Sequence, residues 1–468
     1  MMTKVINNNQ FSSSFRDNNG FVFEQNGIFY RQVNRSYQEN YDFFISSGLY
    51  AQLINSNLLI THEEIAANSH DVNCYKILKP LQLTFITHPA SWSFSMLKDA
   101  ALLTLSIQVE ALRHDMILKD ASSYNVQFLN GKPIFIDTLS FEKLKDNTKW
   151  LGFGQFCRHF LAPLSLSSYT DINLINLMSL YIDGIPLDLA VKLLPIKAKF
   201  NLGLCLHLFT HSKLILENQT KKSKFFKTHF KKNDLFNQAD SLFDTIQSLH
   251  ISKQQTEWDS YYEKDVSDKY FEHKEKTIND FLILIKINFL LDLGANNGTF
   301  SVIAAKNCTQ VFAFDVDPIA IEKLYKRIKR EDIRNIIPLI IDIANPEPAI
   351  GWINEERKSI LQRIKVDTIM VLALIHHLRI SAGIPVQKLA KFLSDNCQNL
   401  IIEFIPKSDP KVQFLLRNRE DVFDDYEEFT FLTVFQEYFK ILSQQKVETT
   451  NRILFLMEKN DYSQQSCL

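Results

Sequence analysis

The hydrophobic pattern of this chain changes character part-way along. In "FVFEQNGIFYRQV" (21–33) two β-rich runs flank Asn26-Gly27. Asn-Gly suits the positive φ angles of a tight type I′ turn, so the segment predicts a hairpin. "VQFLNGKPIFID" (126–137) predicts a second, turning at Asn130-Gly131. Between them, from Trp92 to Met116, apolar residues recur at helical spacing: Leu97, Ala101, Leu105, Val109 and Leu112. Residues from about 150 to 210 read as mostly helical, broken at Pro163, Pro186 and Pro195.

After about residue 270 the rhythm becomes strand, helix, strand. "FLLDL" (289–293), "VFAFD" (311–315), "IIPLIID" (336–342), "VDTIMVLAL" (366–374) and "LIIEF" (400–404) are short apolar runs without polar alternation. A parallel sheet covered on both faces needs such strands. Helices are expected over about 298–306, 318–330 and 385–395. The chain closes with "YFKILSQQKVETTNRILFLMEK", two strands turning near Glu448–Asn451, the last expected to run antiparallel. The expected fold class is α/β: a doubly wound, Rossmann-like C-terminal domain preceded by an α+β domain. The expected division is 1–245, 246–460 and a tail, 461–468.

Composition narrows this picture. The 468 residues are 46% hydrophobic and 22% charged, which describes a globular chain long enough for two domains. The net charge of −1 gives no field pointing to nucleic acid or an anionic membrane. One segment departs from that balance: "KKSKFFKTHFKK" (221–232) interleaves lysines with Phe225, Phe226 and Phe230. An anionic partner and a solvated linker both suit it, and neutral overall charge favours the linker. The longest apolar run, "FLILIKINFLLDLG", is interrupted by Lys286 and Asn288 and is too short to span a bilayer. Six scattered cysteines without a CxxC pair, and an N-terminus without an apolar leader, set the expectation of a cytoplasmic protein.

The candidate chemistry centres on "LLDLGANNGTFS" (290–301). At the C-terminal edge of a parallel sheet the first β–α turn faces a crevice. Gly294 would let backbone approach a ligand there, and Gly298 would let the helix pack close to the strand. Asn296 stands where many such loops carry a middle glycine, and Asn tolerates left-handed backbone. Asp292 lies two residues before Gly294. Asp315 ends the second strand, where a carboxylate accepts ribose hydroxyls, and Asp342 ends the third, placed for an adenine amino group. A cofactor with adenine, ribose and a charged amino-acid tail suits these acids better than a dinucleotide.

"LDLGANNGTFS", "FAFDVDPIAIEKL", "IIDIANP" and "VLALIHHL" resemble, in order and spacing, the successive motifs of class I S-adenosylmethionine-dependent methyltransferases. The resemblance covers roughly 255–460. It implies S-adenosylmethionine as cofactor, with Gly294, Ala295, Asn296 and Gly298 on its methionine and ribose side. Asp315 would bind the ribose hydroxyls, Asp342 and Ile343 would face the adenine, and Asp292 and Val316 would also belong to the cofactor site. His376 and His377 would stand beside the sulfonium, able to act as general base or only to shape the pocket wall. Glu403 would orient a histidine or the acceptor. Stretches that include "SWSFSMLKDAALLTL", "LKDASSYNVQF", "KPIFIDTLSF" and "IIEFIPKSDP" extend a resemblance over most of the chain, to bacterial two-domain methyltransferase-like proteins related to nodulation proteins.

In the first half, "LKDASSYNVQFLNGKPIFID" resembles a protein kinase catalytic loop. That resemblance implies Asp120 as base, with Asn125 and Asp137 as magnesium ligands. The departures are Leu118 in place of His, Thr138-Leu139 after Asp137, an Asn-to-Asp interval one residue short, and no glycine-rich loop before it. The plainer alternative is that Asp120 and Asn125 order a turn. The leading expectation is therefore a methyltransferase whose N-terminal domain, a kinase-like remnant or not, positions an unidentified methyl acceptor. A kinase-like phosphotransferase fused to a methyltransferase, and a degenerate methyltransferase serving as a binding module, are the alternatives.

Overall fold

The computed structural model describes residues 14–66, 71–214, 230–251, 268–417 and 420–461. The chain divides into two compact units. One comprises residues 1–254 together with 348–363; the other comprises 255–347 and 364–468. The boundary expected at 245/246 falls inside a helix, Lys232–Ser248, which lies wholly in the first unit. Residues 348–363, assigned by sequence to the methyltransferase half, join the first unit as well.

The first unit begins with a four-stranded antiparallel sheet: β1 (Gly20–Gln25), β2 (Ile28–Asn34), β3 (His62–Ile65) and β4 (Cys74–Pro80), in the order β1-β2-β4-β3. The β1–β2 turn is the expected one, with φ of 53° at Asn26 and 76° at Gly27. The predicted helix runs from Phe94 to Arg113, started by Ser93, whose hydroxyl accepts the Met96 N–H. Leu97, Ala101, Leu105 and Leu112 are fully buried on it, as the spacing requires. Two small antiparallel pairs follow. β5 (Met116–Leu118) pairs with β8 (Phe141–Lys143), and β6 (Val126–Leu129) pairs with β7 (Lys132–Phe135) across the Asn130-Gly131 turn. Pro163 does not break its helix. A π-helical turn, Cys157–Leu161, runs straight into Ala162–Tyr169, and proline sits in the first turn of that helix, where its missing N–H costs least.

Of the basic segment 221–232, residues 221–229 lie outside the described residues. Lys232 opens the helix Lys232–Ser248 and pairs with Asp115 at 2.6 Å. Lys98, on the Phe94–Arg113 helix, donates to the carbonyls of Gln247 and Leu249 at that helix's far end.

The second unit is built on a seven-stranded sheet. Its strands are β9 (Phe289–Leu293), β10 (Gln310–Asp315), β11 (Ile336–Ile340), β12 (Thr368–Val371), β13 (Asn399–Phe404), β14 (Phe439–Lys446) and β15 (Ile453–Lys459). The order is β11-β10-β9-β12-β13-β15-β14. The first five run parallel, while β15 is antiparallel to both β13 and β14. The antiparallel strand next to the edge of this mostly parallel sheet is the last one, as the closing hairpin of the sequence led us to expect. Every residue of β11, β12 and β13 is buried, because helices cover both faces. Strand β12 is shorter than the apolar run 366–374: the chain leaves the sheet after Val371, and Ala373 takes a φ of 50°. Among the described residues no helix is long and apolar enough to cross a membrane.

Candidate cofactor and acceptor site

Strand β9 ends beside the point where the sheet order reverses, between β9 and β12. In open α/β sheets that reversal opens a crevice at the C-terminal strand ends. The loop over it bends through three left-handed residues, Gly294 (78°), Asn296 (49°) and Gly298 (77°). Asn296 fills its left-handed position as expected, with its Oδ1 accepting the Asn297 N–H at 2.7 Å. A Cβ at Gly298 would lie 2.2 Å from Leu324 Cδ1. The close approach that requires glycine is thus to the helix Pro318–Glu331, not to the strand as the sequence suggested.

Asp315 fastens this loop. Its Oδ2 accepts the Asn296 N–H at 2.7 Å and its Oδ1 accepts the Asp317 N–H at 2.9 Å. Burial pushes its carboxyl up, and the backbone donors Asp317, Asn296 and Val316 hold it back. A carboxylate has about four acceptor sites, so capacity remains for a further donor. Val316, the next residue, is exposed, as is Asp342, which lies just past β11 because that strand ends at Ile340 and not at 342 as expected; Asp342 Oδ1 accepts the Ala344 N–H. Ile343 is half-buried beside it and Ala295 is buried in the loop. Asp292 is buried, and Ser301 donates to its Oδ2 at 2.6 Å, joining strand to helix. Burial pushes the Asp292 carboxyl up to about 7.

After β12 the chain delivers His376 and His377 with ring centroids 4.1 Å apart. Both are held below their ordinary pKa by burial, His377 to about 4. His376 is fully buried, and neither of its ring nitrogens has a hydrogen-bond partner. Glu403, at the end of β13, hydrogen-bonds neither histidine. Lys274 Nζ donates to its Oε2 at 2.6 Å and Tyr270 to its Oε1 at 3.2 Å. Arg452 continues the network, donating to the Tyr270 hydroxyl at 3.0 Å and to Asp409 at 2.8 Å. Lys274, Tyr270, Arg452 and Asp409 were not singled out from sequence. One signal was available: in Tyr270, Lys274, Ile278 and Leu282 a lysine occupies one position of an apolar stripe at helical spacing.

No family model matches the chain. The curated relative nodulation protein NoeA of Rhizobium meliloti (strain 1021) is 30% identical over 461 residues, covering 96% of either chain. The chain belongs to the NoeA family. Among solved structures this NoeA-family chain is similar to N-methyltransferase NodS from Bradyrhizobium japonicum WM9, at 13% identity over 41% of this chain and 98% of that one, TM-score 0.31. The bifunctional kinase-methyltransferase WbdD is 18% identical over 44% and 42% of the two chains, TM-score 0.30.

The first unit of the NoeA-family chain gathers a second polar cluster. Asp137 Oδ1 pairs with Arg31 of β2 at 2.6 Å, and its Oδ2 accepts from Ser140. Asn125 donates to the Ser140 hydroxyl at 3.3 Å. Asp120 Oδ1 accepts the Ser122 N–H at 3.0 Å, and its side chain also bonds Asn125 and Gln155. Burial, then nearby Asp137, raises the Asp120 carboxyl. The structure therefore brings Asp120, Asn125 and Asp137 together, and it adds Arg31, which no local sequence pattern marked.

Proposed function

We propose that this chain is an S-adenosylmethionine-dependent methyltransferase, its second unit holding the cofactor and its first positioning the acceptor. The observation that carries the reading is Asp315, a carboxylate at the end of β10 tied by its own oxygen to the backbone of the glycine loop. One side chain fixes that loop and offers acceptors to a ribose. The donor set suits a nucleoside without phosphates: Gly294 to Gly298 supply backbone and no cation. Gly294, Ala295, Asn296 and Gly298 would line the methionine and ribose side, with Asp292 bracing the loop from beneath through Ser301. Val316 would flank the ribose, and Asp342 and Ile343 would face the adenine.

Bound S-adenosylmethionine supplies a methyl group on a positively charged sulfur. His376 and His377 stay uncharged at neutral pH, so they wall the site without repelling that charge. His376 keeps two unpartnered nitrogens for the acceptor. Glu403, neutralised by Lys274, is a positioning residue rather than a base. A reducing, cytoplasmic setting belongs to this reading and agrees with the free cysteines Cys74, Cys157, Cys205, Cys308 and Cys397.

Calorimetry with S-adenosylmethionine tests the proposal. The native chain should bind, and Asp315→Asn should bind about ten- to a hundredfold more weakly. Absence of binding by the folded native chain would sink it. Binding without transfer of labelled methyl to any cell extract would leave a binding module.

A second reading rests on Arg31 and Asp137. Their 2.6 Å pair joins the antiparallel sheet to the segment after β7 and supports a kinase-like phosphotransferase cleft in the first unit. Asp120 would be the base, and Asn125 and Asp137 would hold Mg²⁺ once Arg31 released Asp137. Magnesium-dependent ATP binding that is lost in Asp137→Ala is its test; no such binding by the native chain removes it.

A further inference from the structure

The segment 348–363 lies between β11 and β12 in sequence yet belongs to the first unit. It is a closed loop. Ile350 and Arg357 exchange backbone hydrogen bonds at 3.0 Å in both directions. Gly351 turns the chain at a φ of 88°, and Glu356 folds back to accept the Trp352 N–H at 3.1 Å. The loop is anchored elsewhere in the unit: Arg16 grips Glu356 through two nitrogens, at 2.6 and 2.9 Å.

This loop delivers one side chain to the cluster around Asp120. The Arg357 guanidinium lies over the Tyr124 ring, 4.4 Å from its centroid. Tyr124 belongs to the same turn as Asp120 and Asn125. Arg357 is half-buried, and its Nε is shut off from solvent without a hydrogen-bond partner. The nearest carboxylates are committed elsewhere. Glu356 is held by Arg16 and the Trp352 N–H, and Asp120 by Ser122, Asn125 and Gln155. Stacking on tyrosine is attractive, but it satisfies no N–H donor. A buried N–H with an unmade hydrogen bond is costly, and a backbone locked on both sides holds the guanidinium there.

We infer that Arg357 is the receptor for an oxyanion, a carboxylate or phosphate, carried by the ligand of the first unit. A guanidinium presents paired N–H groups in a fixed fork, which match two oxygens of such a group. Asp120, near enough to act on Arg357 electrostatically, accepts three hydrogen bonds of the roughly four a carboxylate can take, which leaves room for one hydroxyl of the same ligand. The ligand class is therefore a hydroxylated organic anion, such as a sugar phosphate or a sugar acid. The inference does not depend on methyl transfer, nor on an active kinase.

The test uses the full chain with four probes: inorganic phosphate, glucose 6-phosphate, glucuronate, and glucose as the neutral control. Thermal shift and calorimetry are run on the native chain, Arg357→Gln, Arg357→Lys and Arg357→Met. At least one anionic probe should bind and raise the native Tm, while glucose should not. Arg357→Gln should weaken that binding by at least about tenfold, and Arg357→Lys should fall between, keeping charge but losing the fork. Without any probe, Arg357→Met should be no less stable than native, because it removes an unsatisfied donor while keeping the stem. Phosphate against the two sugars separates a simple anion site from a hydroxylated-anion site. No anionic binding by the folded native chain, unchanged binding in Arg357→Gln, or a clear stability loss in Arg357→Met would each overturn the inference. S-adenosylmethionine binding measured on the same samples reports separately on the second unit.

Discussion

Lys274 and Glu403 form an ion pair of 2.6 Å with both side chains fully excluded from solvent, 129 residues apart in the chain. Two charges at that depth hold each other in place because neither can be rehydrated without opening the core. The pair ties the helix Asp268–Leu284 to the end of β13, beside the expected site.

Removing one member should cost far more than removing both. Lys274→Met leaves a buried carboxylate and should destabilise by about 3–5 kcal/mol, whereas Lys274→Met with Glu403→Leu should cost much less. Urea unfolding of the two singles and the double decides this. Additive losses would contradict a coupled pair.

Gly298 should tolerate no side chain. Gly298→Ala forces a left-handed alanine and places its Cβ against Leu324, so a loss of about 1–3 kcal/mol is expected. Adding Leu324→Ala should not restore stability, since the backbone strain stays and a cavity is added. S-adenosylmethionine affinity in Gly298→Ala should fall with the distorted loop.

Asp292 should make stability fall with rising pH. Its carboxyl is raised in the folded chain to about 7, above the ordinary carboxylate value it has when unfolded. The protonated form favours folding, so this contribution is fully present below about pH 4 and is lost as pH rises through about 7. The stability difference between native and Asp292→Asn should therefore move in favour of Asn by a few kcal/mol, on the order of the shift, between those limits. A pH-independent difference would show that Asp292 titrates normally.

His376 should separate stability from activity. Its two buried nitrogens lack partners, so His376→Phe removes an unmet polar demand and should change stability by less than about 1.5 kcal/mol. Labelled-methyl transfer should nonetheless collapse in this variant if the imidazole contacts the acceptor. Full activity would make the histidine a wall residue only.

Local chemistry made the first layer of the protein legible. Asn26-Gly27 and Asn130-Gly131 announced their hairpins because few dipeptides accept two positive φ angles in succession. The unbroken apolar strands announced a sheet buried on both faces, and Asp315 could be placed at a strand end by counting. Where the reading slipped, a competing local force explains it. Strand β12 stops at Val371 because the chain must leave the sheet to reach the crevice, although Leu372 and Ala373 are still apolar. Pro163 sits where its missing donor is not needed.

The sequence by itself determined the order of elements, the hairpin turns, the glycine loop and the acids at the strand ends. Each of these is written in residues a few positions apart. Tertiary structure alone decided which charges meet: Arg31 with Asp137, Lys274 with Glu403, Arg452 with Asp409. It alone placed β15 between β13 and β14, and it alone carried Arg357 into the first unit. Periodicity records which face of an element is dry, but a charge in a sequence carries no mark of its partner. That choice is made only when folding desolvates the charges and brings within reach the groups able to satisfy each of them.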